Sequence, residues 1–159
     1  MISVGPCSWD QIRQIWETEL WPDRRSELRT HSAMRYLGGY DSDIHTSPVD
    51  FICVRDPDIV GVISGFLSKQ GLYRCRGIYV RPEHRGQGIS RLLFAAAEQQ
   101  AVARGCLRMW SFPRHDALPS YLAYGFRQTS GWRWSGEWGP NCYVIKAVEK
   151  SATTTKNRL

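Results

Sequence analysis

The spacing of apolar and polar positions divides the chain into two unlike parts. Ile2–Ser3–Val4 reads as a short strand broken by Gly5–Pro6. Behind it, Ser8 and Gln11 have capping-box spacing, and Trp9, Ile12, Trp16 and Leu20 recur at helical intervals. They predict a first helix with an aromatic buried face, stopped by Trp21–Pro22–Asp23. A second helix is predicted over Ser26–Leu37, ended by Gly38–Gly39, before a polar loop from Tyr40 to Pro48.

From Val49 the period changes to that of strands. Phe51–Val54 and Ile59–Leu67, separated by Arg55–Asp56–Pro57–Asp58, predict a β-hairpin, and Leu72–Val80 follows as the next strand. Strict alternation along it puts Arg74, Arg76, Ile78 and Val80 on one face and Tyr73, Cys75, Gly77 and Tyr79 on the other. A helix carrying Ile89, Leu92, Leu93, Ala96 and Ala103 on one side ends at Gly105, then come a strand Cys106–Phe112, a short helix Ala117–Tyr124 and two strands around Phe126–Thr129 and Tyr143–Val148. Between these last strands lies a glycine- and tryptophan-rich loop or hairpin, 131–140, whose Trp132 and Trp134, as alternate residues of a strand, are expected to pack on the core or wall an acceptor pocket rather than stack on nucleobases. Residues 1–150 read as one domain and 151–159 as a polar tail.

The junction Val80–Arg81–Pro82–Glu83–His84–Arg85–Gly86–Gln87–Gly88–Ile89–Ser90–Arg91 carries the chemistry. A basic glycine loop that opens a helix offers unpaired backbone N–H groups and the positive end of the helix dipole to an anion. A formal net charge of +6 fits an anionic partner, either a phosphorylated cofactor or a nucleic acid. Cys7, Cys53, Cys75, Cys106 and Cys142 are too dispersed for a zinc site or redox pair, so no metal is expected, and they read as reduced thiols of a cytoplasmic protein. No apolar run reaches the length of about 20 residues that a membrane helix needs.

Two motifs resemble the GCN5-related N-acetyltransferase (GNAT) family. Arg85–Gly86–Gln87–Gly88–Ile89–Ser90 is similar to the family's pyrophosphate loop, with Ser90 where glycine or alanine is usual, and Tyr121–Leu122–Ala123–Tyr124–Gly125–Phe126 is similar to its Tyr-x-x-x-Gly-Phe segment. The resemblance runs from about Phe51 to Val148. It implies an α/β (α+β) fold, a mixed and mostly antiparallel twisted sheet of roughly six to seven strands flanked by about four helices. It also implies an acyltransferase that moves an acetyl group from acetyl-CoA directly to an amine of a small-molecule or protein acceptor.

On that resemblance Ile78, Tyr79, Val80, Arg85, Gly86, Gln87, Gly88, Ile89, Ser90 and Arg91 are the cofactor-binding candidates. Tyr121 is the catalytic proton donor, with Tyr124 as substitute. The family's usual strand carboxylate is missing from Leu72–Val80, where Arg74 and Arg76 stand instead, either as a solvated edge or as ligands of an anionic acceptor. The proton acceptor is left to His31, His45, Asp41, Asp43, Asp116 or water, and the role of Arg114 is open. The rival reading is a catalytically silent module that binds coenzyme A or nucleic acid. Nucleic acid is disfavoured because no basic stripe accompanies the tryptophans, and a homodimer is left open.

Overall fold

The computed structural model describes residues 1–28, 40–134 and 136–150. In chain order the elements are β1 (Ser3–Pro6), α1 (Trp9–Ile15), a π-helical turn (Trp16–Leu20), β2 (Asp50–Arg55), β3 (Ile59–Lys69), β4 (Leu72–Val80), α2 (Ile89–Ala103), β5 (Arg108–Ser111), α3 (Leu118–Tyr124), β6 (Arg127–Gln128) and β7 (Val144–Ala147). The expected capping box is present: Ser8 Oγ accepts from Gln11 N–H, and Gln11 Oε1 from Ser8 N–H. β1 runs through Gly5–Pro6 rather than stopping there, because at the sheet edge a proline forfeits no ladder bond on its open side. Of the predicted helix Ser26–Leu37, Ser26–Leu28 are not helical, and the rest lies outside the described residues.

The seven strands form one sheet in the order β1-β2-β3-β4-β5-β7-β6. Only β4 and β5 run parallel; every other neighbouring pair is antiparallel, including the β2–β3 hairpin. The mixed, mostly antiparallel sheet therefore agrees with expectation, with three α-helices among the described residues. One face is covered by α2 and α3, whose Leu93, Phe94, Ala97 and Tyr121 meet Ile52, Val54, Ile63 and Tyr73. The other face is covered by α1 and the π-helical turn, whose Ile12, Ile15 and Trp16 meet Cys53 and Val62. Burial on both faces explains the nearly unbroken apolar runs of β2 and β3.

The site is created where β4 and β5 part. Their pairing spans Leu72↔Arg108 to Arg74↔Trp110 and goes no further, although β4 continues to Val80. In the same stretch β4 bulges against β3: Val62 pairs with Tyr79 and Ser64 with Arg76, leaving Gly77 and Ile78 opposite Ile63 alone. An extra residue bends the strand and raises its local twist. It also inverts the alternation, so Ile78 and Val80 join Tyr73 and Cys75 on the α2 side, while Tyr79 packs on the α1 side. The predicted sharing of one face by Arg74, Arg76, Ile78 and Val80 is thus wrong beyond Arg76, for the reason that one inserted residue flips every side chain after it.

Gly77 makes the bulge possible. Its φ is +67°, and a Cβ there would lie 2.2 Å from the Trp16 ring. Trp16 Nε1 donates to the Gly77 carbonyl at 2.9 Å, fastening the π-helical turn to the bulge.

Candidate active site

A cleft of about 610 Å³ opens between the parted strands. Its walls come from the second half of β4, the loop before α2, the end of β5, α3, the π-helical turn and Trp138. At one end lie Arg85, Gly86, Gly88, Ile89 and Ser90. Gly88 is the N-cap of α2 with φ +78°, and no side chain among the described residues caps that helix. The first-turn N–H groups are thereby left to a ligand rather than to the protein's own oxygens. A Cβ on Gly86 or Gly88 would meet nothing within 4 Å among the described residues, so this backbone is open on that side to them. Arg85 is oriented by donating from Nε to the Val80 carbonyl at 2.9 Å and by standing 5.5 Å over the Tyr79 ring. Open space, uncapped donors at a helix start and a positioned cation fit a pyrophosphate. Gln87 and Arg91 are exposed and lie outside the lining residues.

Farther along, Tyr121 reaches the cleft with only 2% of its surface exposed. Its hydroxyl lies 2.9 Å from Ser111 Oγ, and Ser111 Oγ donates to the Cys75 carbonyl at 2.7 Å. Serine has one proton, and here the carbonyl takes it, so Tyr121 is the donor in the Tyr121–Ser111 bond. Burial, reinforced by Cys75, pushes the phenol well above its ordinary value, against the opposing pull of Ser111, Arg74 and Arg76. The hydroxyl is therefore neutral and proton-bearing throughout the physiological range. Tyr124, the substitute, points elsewhere: its hydroxyl donates to Glu98 Oε1 at 2.5 Å, in a network with Lys146 and the Glu149 N–H. Both rings pack on Phe94 and Phe126, but their hydroxyls go to different partners, Tyr121 to Ser111 and Tyr124 to Glu98.

The opposite end is built from side chains far apart in sequence. Arg74 and Arg76 are both buried in the wall, the first 4.5 Å over the Trp110 ring and the second 5.6 Å over Trp21. Burial pushes Arg74 down to about 10. They are not a solvated edge, because β4 is a central strand. Trp21 meets Trp138 edge-on at 5.0 Å, Arg114 Nη2 donates to the Leu20 carbonyl at 3.1 Å, and Glu19 pairs with Arg81 at 3.2 Å.

Of the proposed proton acceptors among the described residues, only Asp116 lines the cleft. Asp41 and His45 instead close a turn of their own, Asp41 N–H donating to His45 Nδ1 at 2.8 Å, with His45 edge-on to Phe66. Asp43 donates its N–H to Asp41 Oδ1 in the same turn, and His31 lies outside the described residues. Trp132 and Trp134 are exposed, at 42% and 80%, and neither packs on the core nor lines the cleft; Trp138 does both. Among the described residues the segment makes only an isolated bridge at Arg133, so the alternation expected of a strand is not seen there. Sequence reasoning missed Glu19, Trp21, Ser111 and Asn141 as lining residues. Ser111, a lone hydroxyl closing an apolar strand, was the one local signal; the others depend on tertiary contacts.

Comparisons with known proteins bear on the fold and the family. A curated relative, Acetyltransferase Atu2258 of Agrobacterium fabrum (strain C58 / ATCC 33970), is 36% identical over 78 residues, covering 47% of this chain and 56% of that protein. The match thus spans little more than half of that relative's length. Among solved structures, an aminoglycoside 6'-N-acetyltransferase complexed with coenzyme A superposes with a TM-score of 0.68 at 12% identity, over 94% of this chain and 98% of that one. YncA from Salmonella typhimurium, solved with its cofactor acetyl-CoA, gives 0.61 at 16% identity over 95% and 96%. At such identities these likenesses establish the fold. The model of the acetyltransferase (GNAT) family matches residues 9–126, and the chain belongs to that family.

Proposed function

We propose that this chain transfers an acetyl group from acetyl-coenzyme A directly to an amine acceptor bound in the same cleft. The observation that carries this reading is the continuity of one cleft from the uncapped, glycine-lined start of α2 to the buried hydroxyl of Tyr121. The backbone N–H groups of 86–90, with Arg85, hold the pyrophosphate, and the bulged backbone at Ile78–Tyr79–Val80 orients the acyl carbonyl. When bound, acetyl-coenzyme A supplies an activated acetyl group and a thiol leaving group.

The amine nitrogen forms its bond to the acetyl carbon as the carbon–sulfur bond breaks; one proton leaves nitrogen and one reaches sulfur. Tyr121 holds the second of these on its hydroxyl, shared with Ser111 Oγ in the resting state. A developing thiolate outcompetes that neutral oxygen, because hydrogen bonds to charged acceptors are roughly twice as strong. Glu19 and Asp116 are the carboxylates among the lining residues. The Asp116 side chain is 93% exposed at the rim, whereas Glu19 is partly buried against Arg81, and the reading assigns the amine proton to Glu19.

The test is release of free thiol from acetyl-coenzyme A across a panel of amines. Release that depends on an added amine, with the N-acetyl product detected by mass, is the expected result. Tight coenzyme A binding with no release for any amine would mark a silent binding module instead.

A further inference from the structure

We propose that Ser111 is a positioning residue for acetyl transfer: it holds the Tyr121 hydroxyl at the cleft, then turns its own O–H onto that oxygen once the Tyr121 proton has gone to sulfur. This rests on the acetyl-transfer reading above.

The place of Ser111 in the sheet motivates it. The last paired residues of β4 and β5 are Arg74 and Trp110, so Cys75 and Ser111 are the next step of the same register, where the strands part. There a side chain stands in for the ladder. Ser111 Oγ donates to the Cys75 carbonyl at 2.7 Å and lies 2.9 Å from the Tyr121 hydroxyl. Ser111 and Tyr121 both line the cleft and are both buried. Among the described residues, Ser111 is the one hydrogen-bond partner of the Tyr121 hydroxyl. Phe94 and Phe126 meet the Tyr121 ring edge-on at 4.8 and 5.1 Å, but neither can bond its oxygen.

A serine hydroxyl has one proton and two lone pairs, so Ser111 has two useful orientations. While Tyr121 carries its proton, Ser111 donates to the Cys75 carbonyl and accepts from the phenol. When the S–H bond forms and the Tyr121 O–H bond breaks, the phenolate has nothing left to donate. Rotation about the Ser111 Cβ–Oγ bond then gives it the serine O–H. Serine keeps its proton throughout; the phenolate regains one from solvent as coenzyme A leaves, in balance with the proton released by the amine. The turn is favourable because a hydrogen bond to a charged oxygen is roughly twice as strong as one to a neutral carbonyl. Without it a buried phenolate would lack a hydrogen bond, which is costly. The surroundings are consistent: burial and Cys75 oppose ionisation of Tyr121, while Ser111, Arg74 and Arg76 favour it. Phe94 and Phe126 bring no charge to the ring.

The test places a fluorinated tyrosine, a stronger acid than tyrosine, at position 121 of the full chain and titrates its phenolate by absorbance. Ser111→Ala should raise the midpoint by about one pH unit, a tenfold loss in ionisation, and Ser111→Thr, which keeps the hydroxyl, should return it close to wild type. With ordinary tyrosine, Ser111→Ala should slow the acetyl-transfer step about tenfold in single turnover while coenzyme A affinity stays within about twofold, and Ser111→Thr should recover most of the rate. Isotope-edited infrared spectra of the cysteine carbonyls need no Ser111 variant to fold. As the phenolate forms, the Cys75 band should move to higher frequency because it loses the Ser111 bond. An unmoved midpoint in folded Ser111→Ala, an unmoved Cys75 band or an unchanged transfer rate overturns the inference while acetyl transfer stands. If no amine releases thiol, acetyl transfer fails instead, and the midpoint and the Cys75 band decide this inference alone: movement of both upholds the turn of the hydroxyl, and a static result in either ends it.

Discussion

The two ends of the cleft are made of different materials. The end at α2 is made of main chain: glycines with positive φ, an uncapped helix start and one arginine anchored to its own loop. The other end is made of side chains brought from far apart, Trp21 to Trp138, Arg114 to Leu20, Arg76 to Trp21. A backbone site survives extensive sequence change as long as the turn and helix form, while a side-chain site changes with each residue. The first suits a ligand common to a whole family, the second a ligand particular to one member.

If the two ends are joined through the bulge, the largest effect comes from Gly77→Ala. The new methyl group would lie 2.2 Å from Trp16 at a φ of +67°, so either the turn or the strand must move. A stability loss of about 3 kcal/mol or more is expected in chemical denaturation, together with altered tryptophan fluorescence. A near-neutral result would show that the bulge does not depend on glycine.

Next in size is the separation of the ends themselves. Arg85→Ala should weaken coenzyme A binding about tenfold by calorimetry, corresponding to about 1.4 kcal/mol, and leave discrimination among acceptors unchanged. An altered acceptor preference would mean that the ends are not independent.

A smaller effect is expected behind the cleft at Glu98. Burial pushes its carboxyl up, but bonds from Lys146, Tyr124 and the Glu149 N–H outweigh this and hold it below its ordinary value of 4.5. The unfolded chain then binds the proton more readily. The stabilisation is present above pH 4.5 and is lost as pH falls through the lower folded value. Glu98→Gln should cost about 1 kcal/mol at neutral pH and flatten that acid limb in pH-dependent melts. Trp134→Ser, at an exposed position, should change stability by less than about 0.5 kcal/mol and leave turnover alone.

The same contrast explains what could be read in advance. The hairpin β2–β3, the capped α1, α2 and its loop, and the Tyr121–Gly125 turn are all specified by neighbours in sequence: period, caps and glycines. The α2 end of the cleft was legible for that reason. The strand alternation beyond Arg76 was misread because the bulge is enforced by Trp16, 61 residues away in sequence. Alternation alone would bury Trp132 and Trp134 in a strand, yet among the described residues Arg133 makes only an isolated bridge and both indoles are exposed. Glu19, Trp21 and Asn141 carry no local mark of their place, since each reaches the cleft through contacts that only the folded sheet creates.

The measurement that bears most directly on acetyl transfer in this cleft is the kinetics of Tyr121→Phe against wild type, with coenzyme A affinity determined on the same preparations. Loss of the proton held on that hydroxyl should lower kcat by about 100-fold or more while the dissociation constant for coenzyme A stays within about twofold. Unchanged kcat, or a fall accounted for entirely by lost coenzyme A binding, would contradict the assignment of Tyr121 as the proton donor.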